Sequence, residues 1–302
     1  MCAKQVHLSF LFVHGRFVTM KRPILEMSKI QVLKVIMPAN YLSEADLLNL
    51  DLYEYHGGEY TYVDNILNPF WLKVAYMFPE WYAPNLITLS GLLINIAATL
   101  LVCHYDIDLK GEAPAWVYII AGICIQIYAV FDAADGKQAR RLKASSPLGQ
   151  IFDHGCDAFN LIFIIVTCCS CFGMGRGKMT ASLIVSMCSV FVLAQIIEYK
   201  TNVLLAGSKF FGVTEAMILM TLACFITAFM GSRVWDMQVG GIAIKYLGSV
   251  MMIVGVGGIC IYYLVKSFLE PTPIPEDKRG NKNLDNKSHA QRCIPPVYVQ
   301  SD

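Results

Sequence analysis

The sequence predicts an all-α, polytopic integral membrane protein with about six transmembrane helices, and three observations carry that expectation. Apolar residues make up 56% of the 302-residue chain and charged residues only 16%, against about 25% charged in soluble domains. So much apolar surface exceeds what a globule of this length buries, and the remainder has to face lipid. Six stretches contain no Asp, Glu, Lys or Arg: 81–105, 113–131, 158–175, 179–197, 216–232 and 246–265. Each is 17 to 25 residues long, near the roughly 20 that a helix needs to cross about 30 Å of hydrocarbon. Lone strands are excluded, because they leave backbone N–H and C=O groups unpaired in lipid.

Taken in order, residues 1–40 show no convincing pattern and stay unassigned. The apolar run Leu8 to Val13 is too short for a cleaved signal peptide and is interrupted by His14 and Arg16. Residues 41–84 are expected to lie on the membrane interface. Ser43-Glu44-Ala45-Asp46 has the form of a capping box opening an amphipathic helix. Tyr60, Tyr62, Phe70, Trp71, Tyr76, Phe78, Trp81 and Tyr82 follow it, and such rings favour the headgroup layer. A small soluble cap is the alternative for this segment. Residues 85–268 hold the transmembrane unit, whose third span is expected to begin early, near Pro147, with Ser146 as N-cap. Residues 269–302, rich in Pro, Asn and charge, are expected to be disordered.

Charge sets the orientation. With the first 84 residues in the cytosol, the cytosolic segments carry 19 Lys and Arg and the opposite side 5. That asymmetry predicts cytosolic termini. A formal charge of +1 argues against a nucleic-acid partner. Cysteine adds little: the Cys168-Cys169-Ser170-Cys171 cluster sits in an apolar stretch, so packing is favoured over palmitoylation or metal binding.

Seven acidic residues lie between Ala113 and Lys266, and four of them, Asp132, Asp135, Asp153 and Asp157, crowd into 26 positions. Asp132 and Asp135 share one helix face at the end of the second span, and Asp153 and Asp157 share another at the start of the third. Folding these helices together at the intervening turn would gather four carboxylates. Near lipid such a cluster repels itself unless it is neutralised. Oxygen-only ligands favour Mg²⁺ or Mn²⁺, and shared carboxylates suit a pair of ions engaged in phosphoryl transfer. Gly136, Ala139 and Gly149 are small enough for close helix approach, and Lys137, Arg140 and Arg141 offer cations to phosphate oxygens. A merely solvated acidic rim would explain one or two Asp, not two matched pairs.

The pattern Asp132-x-x-Asp135-Gly136-x-x-Ala139-Arg140-x8-Gly149-x3-Asp153-x3-Asp157 resembles the signature of the CDP-alcohol phosphotransferase family, with every position filled. Within it, Pro79-Glu80-Trp81-Tyr82-Ala83-Pro84-Asn85-Leu86-Ile87-Thr88-Leu89, Gly136-Lys137-Gln138-Ala139-Arg140-Arg141 and Ser145-Ser146-Pro147-Leu148-Gly149-Gln150-Ile151-Phe152-Asp153-His154-Gly155-Cys156-Asp157 are similar to the eukaryotic choline/ethanolamine phosphotransferases. The likeness covers roughly residues 42–268. It implies transfer of phosphocholine or phosphoethanolamine from CDP-choline or CDP-ethanolamine to diacylglycerol, in endoplasmic reticulum or Golgi membranes, by a homodimer whose site opens to the cytosol. It further implies that the four Asp hold two Mg²⁺ or Mn²⁺, that Asn85, Gly136 and Arg140 contact the CDP-alcohol, and that His154 accepts the diacylglycerol proton. Asp157 is the rival base, although a metal-bound carboxylate accepts protons poorly.

Two departures stand out. The family usually has Glu where this chain has Gln150, which is expected to orient His154 through a hydrogen bond. The choline/ethanolamine phosphotransferases that it resembles also typically have about ten spans, of which a six-helix unit resembles the core shared across the wider family. A shortened, weakly active chain that pairs with a longer enzyme is therefore an alternative reading, and an enzyme using inositol or glycerol phosphate is a third. Lys137 and Glu215 are expected as supporting residues, Glu215 either receiving a cationic head group or simply favouring a helix start. Asn160 and Gln195 are expected to form hydrogen bonds between helices.

Overall fold

The computed structural model describes residues 9–13, 16–20, 60–201 and 209–269. The expected amphipathic helix at Ser43 and the tail beyond 269 lie outside the described residues. Within the stretch left unassigned, β1 (Ser9–Val13) and β2 (Arg16–Met20) pair antiparallel. Seven helices follow among the described residues: α1 (Tyr62–Met77), α2 (Pro84–Tyr105), α3 (Ala115–Arg141), α4 (Pro147–Cys171), α5 (Lys178–Thr201), α6 (Val213–Met230) and α7 (Ile244–Leu269). Six of them, α2 to α7, are long and apolar enough to cross a membrane, so the protein is a polytopic, all-α integral membrane protein, as the charge-free stretches predict. A short antiparallel pair, β3 (Gln238–Val239) and β4 (Ile242–Ala243), precedes α7.

Local chemistry sets the helix starts. Thr61 and Asp64 form a capping box at α1, each side chain accepting from the other's backbone N–H at 3.0 Å. At α4 the Ser146 hydroxyl accepts from Gly149 N at 3.1 Å and Pro147 occupies the first turn. The third span does begin at Pro147. Helix α3 differs from its charge-free stretch, because it runs ten residues further, through Asp132 and Asp135 to Arg141. Those residues therefore project from a continuous helix, where their relative positions are rigid.

Helix α2 is the central member. It packs along both α3 and α4, which touch each other only briefly; α6 covers α3, and α5 packs on α7 and on α4. The α2–α3 contact is close because Gly91 has no side chain: a Cβ there would lie 3.2 Å from Phe131 Cβ and 3.3 Å from Tyr128 Cδ2. A buried cluster of Val102, Val117, Tyr118, Ile125, Ile164 and Cys171 fills the half of the bundle away from the Asp residues. Cys168, Cys169 and Cys171 are buried and unbridged, as packing residues should be.

Polar side chains link the helices: Asn95 donates to Asn160 at 2.6 Å, and Gln126 donates to Thr221 at 2.9 Å. Bonds of this kind contribute about 0.6 kcal/mol each on average. Leu93, Leu100, Ile123, Val185, Leu219 and Val254 stand exposed on the outer surface, where lipid would solvate them. At the other end of the bundle Asp106 accepts from Lys110 N, Gly111 N and Ser170 Oγ at 2.8, 2.7 and 2.6 Å. This buried carboxylate ties the α2–α3 loop to the end of α4.

Candidate active site

The end of α3 and the starts of α2 and α4 meet at one end of the bundle. Asp132 and Asp135 come from α3, Asp153 and Asp157 from α4. Oxygen atoms of Asp132, Asp135 and Asp153 lie within 4.8 Å of one another. Asp157 is in electrostatic contact with Asp132 and Asp135 and completes the group. The four expected carboxylates are therefore brought together. The turn between α3 and α4 does not do this by itself. Helix α2 lies against both, and its Thr88 hydroxyl donates a short hydrogen bond to Asp135 Oδ2. From α3, the Tyr128 hydroxyl donates another short one to Asp157 Oδ1.

Those two donors leave acceptor capacity over. Asp132 Oδ1 and Asp153 Oδ1 are buried without a hydrogen-bond partner among the described residues. A buried carboxylate oxygen with no donor is costly. A hard divalent cation would satisfy both oxygens, and four carboxylates supply only the hard oxygen ligands such a cation prefers. The residues present thus fit a metal centre.

The surrounding cations divide differently from the sequence expectation. Of Lys137, Arg140 and Arg141, Arg140 alone is exposed, its guanidinium lying back over Gly136, where a Cβ would sit 3.6 Å from Nη1. Lys137 is buried and turned toward α1, its ammonium 5.2 Å from the Trp71 ring centre and 5.8 Å from that of Tyr60. Arg141 is structural. It donates to Phe78 O at 3.0 Å and Ala75 O at 3.3 Å, lies 3.6 Å from Glu80, and stacks 4.8 Å over Tyr76. These contacts lock the α1–α2 connection onto the end of α3. Gly149 brings α4 close to α2, its missing Cβ 3.5 Å from Asn85 Oδ1, whereas a Cβ on Gly136 would meet only Arg140 of its own helix. Close approach of α2 to α3 belongs to Gly91.

His154 presents its Nδ1 to α5. Its Nδ1 is 2.8 Å from Gln195 Oε1 and 3.6 Å from Glu198 Oε2. Gln150 does not bond to His154 as expected; its Nε2 donates to Glu198 Oε1 in a short hydrogen bond. Glu215 caps α6, Oε2 accepting from Gly212 N at 2.8 Å, while Oε1 is buried without a partner among the described residues. Asn160 and Gln195 do bridge helices.

Thr88 and Tyr128, which donate to the Asp group, and Glu198, beside His154, are partners that sequence reasoning missed. A signal existed for two of them. Tyr128 lies one turn before Asp132, and Glu198 follows Gln195 at helical spacing at the end of a charge-free stretch.

The CDP-alcohol phosphatidyltransferase family model matches residues 81–260. The chain is 34% identical over 221 residues to "Cholinephosphotransferase 1" of Gallus gallus, covering 71% of this chain and 64% of that protein. It is 36% identical over 201 residues to "Choline/ethanolaminephosphotransferase 1" of Arabidopsis thaliana, covering 66% and 51%. With "Ethanolaminephosphotransferase 1" of Homo sapiens it shares 32% over 206 residues, covering 65% and 51%. The chain thus spans about half to two thirds of the length of the curated relatives it matches.

Proposed function

The chain belongs to the CDP-alcohol phosphatidyltransferase family, and on that footing we propose that it transfers phosphocholine or phosphoethanolamine from CDP-choline or CDP-ethanolamine to diacylglycerol. The hydroxyl oxygen of diacylglycerol attacks the β-phosphorus, the bond from that phosphorus to the bridging oxygen breaks, and CMP leaves. The observation that carries this reading is the Asp group, three of whose carboxylates converge within 4.8 Å while two buried oxygens lack any donor among the described residues.

Asp132, Asp135, Asp153 and Asp157 would hold two Mg²⁺ or Mn²⁺ ions, which when bound supply positive charge to the diphosphate and the departing CMP. Thr88 and Tyr128 orient Asp135 and Asp157 by donating to one oxygen of each. Asn85, at the start of α2, and Arg140, exposed at the end of α3, bind the CDP-alcohol. Gly136, with no side chain, leaves the diphosphate unobstructed beside the Arg140 guanidinium. His154 takes the hydroxyl proton. The two acceptor oxygens beside Nδ1 support a ring hydrogen on that nitrogen, with Nε2 left to accept. Asp157 is the weaker candidate, because Tyr128 already occupies one of its oxygens. Glu215 Oε1, buried and unpaired among the described residues, supports a subsidiary role beside the cationic head group. The basic-residue asymmetry of 19 to 5 supports a site on the cytosolic face of an endoplasmic reticulum or Golgi membrane, where the nucleotide donor is soluble.

The purified chain in lipid nanodiscs, given labelled CDP-choline or CDP-ethanolamine with diacylglycerol, should form phospholipid only when Mg²⁺ or Mn²⁺ is added. Metal binding without turnover of either donor would favour the chain that pairs with a longer enzyme. Incorporation of free inositol would favour the third reading.

A further inference from the structure

Gln150 and His154 stand one turn apart on α4, and Gln195 and Glu198 one turn apart on α5. The two pairs close on each other as a polar patch between apolar helices, with Glu198 its buried member. Glu198 is 6% exposed. One of its oxygens accepts from Gln150 Nε2 and the other lies 3.6 Å from His154 Nδ1. Gln195 Oε1 sits 2.8 Å from the same nitrogen. A carboxylate so enclosed is unfavourable unless it interacts with a donor or a positive charge. Among the described residues Glu198 meets Gln150 and His154.

We propose that Glu198 is a positioning residue for His154: with Gln195 it holds the imidazole hydrogen on Nδ1 and turns Nε2 toward the acceptor hydroxyl, while Gln150 fixes Glu198 in place. The inference rests on the reading of His154 as the proton acceptor. The alternative is simple adhesion between α4 and α5. Adhesion needs a hydrogen-bonding side chain of this shape, whereas fixing the ring hydrogen on Nδ1 needs an acceptor-only group, the carboxylate. An amide at 198 separates the two, and so does moving the carboxylate across the pair.

The test compares wild type, Glu198→Gln, the exchanged pair Gln150→Glu with Glu198→Gln, and His154→Asn, all as the purified chain in nanodiscs. CDP-choline and CDP-ethanolamine serve as donors. Glu198→Gln should lower kcat about 10–100-fold, less than the roughly 10²–10⁴-fold of a whole general acid–base contribution, and leave KM for the donor unchanged. The exchanged pair, which restores one carboxylate and one amide beside His154, should recover most of that loss. Nitrogen-labelled histidine, observed by solid-state magnetic resonance and assigned by its disappearance in His154→Asn, should show the hydrogen on Nδ1 in the wild type. Wild-type kcat in Glu198→Gln beside a slow His154→Asn overturns the positioning role and leaves the base intact. Failure of a folded exchanged pair to recover also overturns it, as does a hydrogen on Nε2 in the wild type. Full turnover in His154→Asn would overturn the underlying reading and this one together.

Discussion

At the scale of single residues, neighbours of similar chemistry have different tasks. Arg140 and Arg141 are adjacent, yet one is exposed and the other holds two backbone carbonyls and Glu80. Arg140→Ala is therefore expected to raise KM for the CDP-alcohol with an unchanged thermal midpoint. Arg141→Ala should lower the midpoint by releasing the α1–α2 connection. Steady-state kinetics and thermal unfolding of both variants check this, and identical behaviour would contradict the division. Asp153 carries one of the two buried oxygens of the Asp group that lack a partner among the described residues. Asp153→Ala should cut turnover by at least about 10²–10³-fold, the scale of a lost electrostatic stabiliser, and abolish stimulation by Mg²⁺. Retained metal-stimulated turnover would count against a ligand role. Gln150 shows how a local expectation fails. One turn before His154 it has the right spacing to reach the ring, but the amide turns to Glu198 on the neighbouring helix.

Helices carry the next level of the argument. The Asp group depends on how closely α2 approaches α3, and Gly91 sets that distance. A side chain there meets Phe131 and Tyr128 at 3.2 and 3.3 Å, tighter than ordinary van der Waals contact. Phe131 directly precedes Asp132, and Tyr128 holds Asp157. Gly91→Val is expected to displace α3 from α2, weakening Mn²⁺ binding at least about tenfold, a change of roughly 1.4 kcal/mol, while helix content stays constant. Calorimetric titration and circular dichroism together check this outcome. Metal affinity equal to wild type would mean that α2 does not set the spacing. The Ser146 cap offers a milder perturbation. Ser146→Ala removes the bond to Gly149 N at 3.1 Å and should cost about 1 kcal/mol, seen as a lower thermal midpoint.

Over the whole molecule, one end of the bundle is tightened by Asp106 and the apolar cluster around Tyr118 and Ile125. The other end gathers four mutually repelling carboxylates, partly offset by Thr88 and Tyr128. Binding of cations at that end couples to stability, since a ligand that prefers the folded state stabilises it by mass action. Chelation should lower the thermal midpoint of the wild type, and added Mg²⁺ should restore it. The same treatment should leave Asp153→Ala nearly unchanged. A wild-type midpoint indifferent to chelator and to Mg²⁺ would oppose the proposed metal centre.

Six spans, the start of α4 at Ser146-Pro147 and the identity of the four Asp were legible in the sequence, because each follows from residues close together in the chain. Runs without charge report lipid burial, and spacings of three and four report a shared helix face. The partners of those residues were not legible. Thr88 reaches Asp135 across 47 positions, and Glu198 reaches Gln150 across 48. Such pairings depend on the rotation and separation of helices packed by residues elsewhere, such as Gly91 and the α2–α3 interface. By itself the sequence determined which groups are available for chemistry and roughly how deep they sit. Only the tertiary structure decided that α2 brings the carboxylates together and that α5 supplies the carboxylate beside His154, because contacts between distant helices are properties of packing and leave no local periodicity.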